Sequence, residues 1–177
     1  MNPDIDRRRF LRGDFSQRGA VRRPPWSMTE ALFVERCTRC DACLPECPEK
    51  ILYRGDGGFP QVDFQKGGCS FCGACLAACE TGALQAGAFP WCWTAVIGDR
   101  CLERRGVMCG VCGEQCETGA IGFVPGLGGT RRPQVSPDAC TGCGACVAPC
   151  PVDALDFVPA VPALVPADGE VSCTSPA

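Results

Sequence analysis

Residues 140–151 read Cys140-Thr141-Gly142-Cys143-Gly144-Ala145-Cys146-Val147-Ala148-Pro149-Cys150-Pro151, a C-x2-C-x2-C-x3-C-P run. Two further stretches share its cysteine spacing, at Cys37, Cys40, Cys43 and Cys47 and at Cys69, Cys72, Cys75 and Cys79. A fourth is stretched at its start: Cys101, then Cys109, Cys112 and Cys116. Sixteen of the eighteen cysteines fall into these four groups. What such thiols hold decides the fold.

Disulfides suit them poorly, because close neighbours in threes compete for partners and the bonds need an oxidising compartment. Zinc usually takes two C-x2-C pairs, or one pair with histidines, and this chain has no histidine. An iron–sulfur cubane wants one thiolate at each of four corners. Three cysteines on a tight loop reach three corners, while loop N–H groups point at the cluster sulfurs and small residues let the backbone approach. Gly73-Ala74, Gly144-Ala145 and Ala42 meet that need. The spacing is that of bacterial ferredoxins, so the sequence predicts four 4Fe-4S clusters.

In two-cluster ferredoxins the last cysteine of each run serves the other cluster. That rule predicts four sites, each named here after the run that supplies three ligands. The first takes Cys37, Cys40, Cys43 and Cys79; the second takes Cys69, Cys72, Cys75 and Cys47. The third takes Cys101, Cys109, Cys112 and Cys150; the fourth takes Cys140, Cys143, Cys146 and Cys116. Pro48 and Pro151 follow two of the crossing cysteines, Glu80 and Glu117 the other two. A glutamate beside an electron-rich cluster predicts lower potentials or looser binding at the first and fourth sites. Cys92, between Trp91 and Trp93, reads as a packed small apolar residue, with an alternative ligand for the third site as the other reading. Cys173 reads as a free thiol.

The rest of the composition agrees. Aromatics make up 7% of 177 residues, and the chain has 22 glycines and 16 prolines, so a conventional apolar core is thin and needs staples. The absence of histidine excludes a Ser-His-Asp triad, an H-E-x-x-H zinc site and histidine-held haem; the chain reads as a non-enzyme. No apolar run is long enough to span a bilayer.

Four parts follow along the chain: a basic Arg/Pro-rich arm over 1–30, modules over 31–89 and 90–158, and a disordered tail over 159–177. The modules read as an internal duplication. Each has a cysteine run, a hairpin and a second run. The hairpins pair residues 51–54 with 59–63 and 120–124 with 133–136, around Gly-rich turns. Ala74–Ala78 and Ala145–Ala148 each suit about one helical turn. The fold class is therefore α+β: two tandem bacterial-type two-cluster ferredoxin-like modules with short helices and β-hairpins.

Residues 1–23 carry seven arginines and three aspartates, against a net charge of −3 for the whole chain. Oxidised cubanes with their thiolates are formally −2 each, and four of them take the net charge to roughly −11. An acidic body with a basic arm suits docking to a protein and disfavours nucleic acid. Arg7-Arg8-Arg9-Phe10-Leu11-Arg12 is similar to a twin-arginine core, but the polar residues 13–18 do not continue it as an export signal would. The expected location is cytoplasmic.

Several segments together resemble the NapF family of ferredoxin-type proteins: the early arginines, Arg23-Pro24-Pro25-Trp26-Ser27, Cys37-Thr38-Arg39-Cys40-Asp41-Ala42-Cys43, Arg54 to Gly58, Cys69-Ser70-Phe71-Cys72 and Ile97-Gly98-Asp99-Arg100-Cys101. The resemblance spans most of residues 5–155. It implies a cytoplasmic iron–sulfur accessory protein. Its implied partner is the catalytic subunit of periplasmic nitrate reductase, met as a precursor and matured before export by electron or cluster delivery. Two other roles fit the residues: an electron-transfer subunit of another oxidoreductase complex, or a non-redox binding module with structural clusters.

Overall fold

The computed structural model describes residues 21–87, 90–126 and 129–159. The elements are short, as expected from a chain rich in glycine and proline. Helix α1 spans Glu30–Arg36, α2 Ala74–Ala77 and α3 Val111–Glu114. Strands β1 (Leu52–Arg54) and β2 (Pro60–Val62) form one antiparallel hairpin, with Leu52 opposite Val62. Strands β4 (Ile121–Pro125) and β5 (Arg131–Val135) form another, with Ile121 opposite Val135. Both lie where the sequence places hairpins.

The duplication is visible in the topology. In the second half, β3 (Trp93–Ile97) pairs antiparallel with β6 (Leu155–Pro159) and ties the ends of that half together. In the first half the equivalent tie is a single antiparallel bridge between Ser27 and Leu84. Leu84 and Leu155 each stand five residues beyond a fourth cysteine. Each half thus has an inner hairpin enclosed by an outer tie, a strand pair in the second half and a single bridge in the first, with cysteine loops between them.

One expected helix does not form. Residues 145–149 make successive turns, with Val147 N–H donating to Gly144 and Cys150 N–H to Val147. In α2 the bond that completes the helical turn comes from Ala78 N–H to Ala74 O. Pro149 occupies the equivalent place after Cys146 and has no N–H to give.

Arg23-Pro24-Pro25-Trp26-Ser27 is built into the body. Pro24 and Pro25 are buried, Trp26 N–H donates to Pro90 O at 2.8 Å, and Gln85 N–H donates to Trp26 O at 2.9 Å. The Arg23 guanidinium lies 5.0 Å from the Phe33 ring and 5.2 Å from that of Phe59. It also pairs with Glu30 at 2.6 Å. Stacking an arginine on two rings while pairing its charge lets it cover apolar surface without stranding the cation. The expected arm residues 1–20 and tail residues 160–177 lie outside the described residues.

The two halves share one apolar cluster, including Phe33, Ile51, Phe64, Ile97, Ile121, Val147 and Phe157. The Phe64 and Phe157 rings meet at 5.0 Å across the halves. Cys75, Cys101 and Cys146 are buried within the same cluster. Among the described residues the largest side chains with almost no exposure are Phe33, Ile51 and Pro24, each of the first two contributing about 1.5–3 kcal/mol. So thin a core leaves the cysteine loops close to the centre of the molecule.

Candidate metal centres

The middle cysteine of a regular run sits between two residues of left-handed backbone. In the first run these are Arg39 (φ 59°) and Asp41 (φ 63°). In the second they are Phe71 (φ 53°) and Gly73 (φ 77°), and in the last run Gly142 (φ 70°) and Gly144 (φ 80°). Alternating right- and left-handed residues turn successive N–H groups toward one side, which makes a concavity for negative sulfur. Non-glycine residues at positive φ cost about 1–3 kcal/mol each, and here they recur at equivalent places in two loops.

The fourth cysteines share a different turn. Three residues beyond them stand Lys50 (φ 53°), Gly82 (φ 69°), Gly119 (φ 64°) and Asp153 (φ 47°). All four are left-handed. The turn folds the next backbone N–H groups back over the sulfur: Ala154 N–H lies 3.3 Å from Cys150 Sγ. Thr81 Oγ1 lies 3.6 Å from Cys79 Sγ, and Thr118 Oγ1 3.5 Å from Cys116 Sγ. Burial pushes the Cys79 and Cys116 thiols up, but hydrogen bonds outweigh it and hold both below the usual thiol range. At Cys79 these come from the Thr81 hydroxyl and from the N–H groups of Leu84, Thr81 and Ala83. At Cys116 they come from the Thr118 hydroxyl and the N–H groups of Ile121, Ala120 and Thr118.

Two cavities gather cysteines from different runs. One is lined by Cys69, Cys72 and Cys75 together with Cys47, under Trp26, Ile51 and Leu52, with an empty volume of about 320 Å³, open solvent included. The other is lined by Cys101, Cys109 and Cys112 together with Cys150, under Ile97, Phe123 and Leu155, with about 370 Å³. Each cavity holds the four cysteines of one crossed set, the second and the third. At the first site Cys37 and Cys40 stand close enough to Cys43 to act on its charge. At the fourth, Cys140 and Cys143 act likewise on Cys146. Cys79 lies just beyond α2 and Cys116 just beyond α3, each within its crown of donors.

The donor chemistry fits an iron–sulfur group. Burial and then neighbouring thiolates push Cys43 and Cys146 up to about 12, with a backbone bond at each pulling the other way. Burial also pushes Cys69, Cys75 and Cys112 up to about 11. Thiolates crowded into an apolar wall need positive charge between them, and a metal bound there deprotonates them outright. Among the described residues no three of Cys, Asp and Glu converge tightly enough for a single metal ion. The fit rests on the cavities and loop geometry.

Comparison with known proteins is decisive at this point. The 4Fe-4S dicluster domain family matches residues 36–83 and again 106–154. The ferredoxin-type protein NapF of Escherichia coli strain K12 is 44% identical over 143 residues, covering 80% of this chain and 87% of that protein. The chain belongs to the NapF family. NapF of Haemophilus influenzae is 42% identical over 150 residues, covering 78% of this chain and 85% of its own length. A shorter likeness, 34% over 47 residues and 24% of this chain, links it to the ketoisovalerate oxidoreductase subunit VorC of Methanothermobacter marburgensis. This NapF-family chain is thus an iron–sulfur protein of ferredoxin type, and its two halves are 4Fe-4S dicluster domains.

The stretched run closes by other means. Gly110 is not left-handed (φ −164°, ψ −2°), so the left-handed pair of the regular loops is missing. Glu103 and Arg131 take its place. The Glu103 side chain is 4% exposed and accepts the Cys109 N–H at 2.7 Å. Arg131 pairs with Glu103 and donates to the Cys109 carbonyl at 2.7 Å, while its guanidinium lies 4.9 Å from the Phe123 ring. The Cys109 N–H, and Arg131 beside it, hold the Glu103 carboxyl below the usual carboxylate range against burial.

The sequence reading missed this clamp; its one signal was an acid–base surplus, Glu103 to Arg105, inside an insertion. The same reading missed Thr81 and Thr118, although both stand in a shared Cys-Glu-Thr-Gly segment. Glu80 and Glu117 face solvent, where screening weakens their charge, so the threonines are the closer influence on those thiolates. Cys92 is half-buried and lies outside both cavities. Cys173 lies outside the described residues.

Proposed function

We propose that the chain binds four 4Fe-4S clusters through the four crossed ligand sets and carries electrons rather than performing catalysis. The observation that carries this reading is the pair of cavities in which three cysteines of one run meet the fourth cysteine of the partner run. The first and fourth sites follow by the internal symmetry, with Cys79 and Cys116 as their fourth ligands. The bound groups supply one-electron redox chemistry. The chain's own part is to orient sixteen thiolates, aim N–H groups at sulfur and exclude water beneath Trp26, Ile97 and Phe123. Cys40 and Cys72 are exposed, so a partner can approach within contact of the first two sites.

The partner in this reading is the cytoplasmic precursor of the catalytic subunit of periplasmic nitrate reductase, matured before export by electron or cluster delivery. Family membership supports it, and so does the charge division between a basic arm and an acidic body. No helix among the described residues is long and apolar enough to cross a membrane. The test is anaerobic reconstitution followed by capture of the purified precursor. Four clusters per chain and a complex with the precursor support the reading. Full cluster loading with no complex would transfer the chain to another redox partner, as its likeness to an oxidoreductase subunit suggests.

A further inference from the structure

The two halves touch through their cysteine loops. Cys69 N–H donates to the Cys143 carbonyl at 2.7 Å. Three glycines make the approach possible. A Cβ on Gly68 would stand 2.8 Å from both Cα and Cβ of Ala145, and one on Gly142 would stand 2.8 Å from the Trp93 carbonyl. One on Gly144 would enter the Phe64 ring. Around this seam Phe64 packs on Trp91 and Phe157, and Arg22 pairs with Asp156. The seam joins the second run directly to the last.

Within each half the sites are joined by the chain itself. Cys47, a wall of the second site, follows Cys43 of the first by four residues. Cys150, a wall of the third site, follows Cys146 of the fourth by the same interval. The spatial order of the four sites is therefore first, second, fourth, third, which differs from their order in the sequence.

We propose that the Cys69–Cys143 backbone contact is the bridge by which an electron crosses between the halves, so that the four sites form one conductor with the first and third at its ends. The proposal rests on the ligand sets and electron-carrying role given above. One electron leaves a reduced site on one side of the contact and enters an oxidised site on the other. No bond forms or breaks and no proton moves. Electron tunnelling falls steeply with distance, and a hydrogen bond between ligand backbones couples two sites better than a gap does. The stretched run then lies at a terminus, beside the exposed Val107 and Met108, as suits a loop that meets a partner rather than another site.

The test uses the full chain with all sites loaded. Gly68→Val wedges the Ala145 backbone away while leaving every cysteine in place; Gly122→Ala is the control, because a Cβ there meets nothing within 4 Å. Iron and sulfide per chain are measured first. Electron redistribution after pulse reduction and spin–spin coupling in the dithionite-reduced protein are then compared. The expected result is unchanged loading, with redistribution between halves slowed by an order of magnitude or more in Gly68→Val and unaffected in Gly122→Ala. A fully loaded Gly68→Val chain that redistributes electrons at the native rate overturns the bridge. Should Gly68→Val fail to load, the native chain decides. Spin coupling between the second and fourth sites supports the bridge, and coupling confined within each half overturns it. A native chain that loads fewer than four clusters instead overturns the ligand sets on which the bridge rests.

Discussion

The third and fourth cysteine runs do the same work with different backbones. The fourth uses Gly142 and Gly144, both left-handed, to turn its N–H groups inward. The third keeps Gly110 out of the left-handed region and fastens Cys109 with a buried carboxylate and an arginine. Their crossing cysteines, Cys116 and Cys150, nevertheless enter the same left-handed turn three residues on. The difference shows which part of the motif is replaceable. The inward-facing loop can be remade by side chains, whereas the turn over the fourth sulfur recurs in all four copies.

That contrast breaks most visibly at glycine. Gly144→Ala places a Cβ at φ +80° and into Phe64, costing at least about 1–2 kcal/mol in backbone strain alone. The expected outcome is loss of the fourth cluster and a lower unfolding midpoint in urea. Gly110→Ala meets only the Glu114 carboxylate at 3.6 Å and the Arg131 guanidinium at 3.9 Å, both ordinary van der Waals contacts, at a φ outside the left-handed region. It should load fully and unfold like the native protein. Equal damage from the two substitutions would mean that the loops do not differ as described.

The clamp gives the next effect. Glu103→Ala leaves the Cys109 N–H without its acceptor and Arg131 without its pair, so the chain should lose the third cluster and keep the others. Glu103→Gln keeps an acceptor and should retain part of that cluster's iron. Iron analysis with EPR of the reduced protein reads both variants. A Glu103→Ala chain with full iron would show that Cys109 needs no fastening.

The smallest effect is expected at the threonines. Thr81→Val and Thr118→Val remove a hydroxyl near Cys79 and Cys116, and hydrogen bonds to ligand sulfur favour the reduced, more negative state. The first and fourth potentials should fall by up to about 40 mV, the one-electron equivalent of ~1 kcal/mol. A redox titration that finds no change in either site would remove the threonines from the account and return the question to Glu80 and Glu117.

The cysteine runs, both hairpins and the duplication were legible because each is written locally. Cysteine spacing, Gly-rich turns and β-branched stretches need only a few neighbouring residues to be read. The pairing of Trp93–Ile97 with Leu155–Pro159 was not, since the partners are sixty residues apart and nothing local marks them. Pro149 was in plain view, yet its effect on residues 145–149 depends on one missing N–H that helix propensity in Ala-rich sequence conceals. Arg23 read as part of a charged arm because composition cannot show two aromatic rings waiting for it. Glu103 escaped for the same reason: its partners, Cys109 and Arg131, are brought to it only by the fold.

The central claim is the crossing of the fourth cysteines, and Cys150 tests it most directly. Three variants, Cys150→Ala, Cys112→Ala and Cys146→Ala, are reconstituted and reduced, and the EPR signal missing from each is obtained by subtraction from the native spectrum. The account predicts that the signal missing from Cys150→Ala superposes on that missing from Cys112→Ala, because both residues line the cavity of the third site. Superposition on the Cys146→Ala difference would place Cys150 with its own run and contradict the crossing.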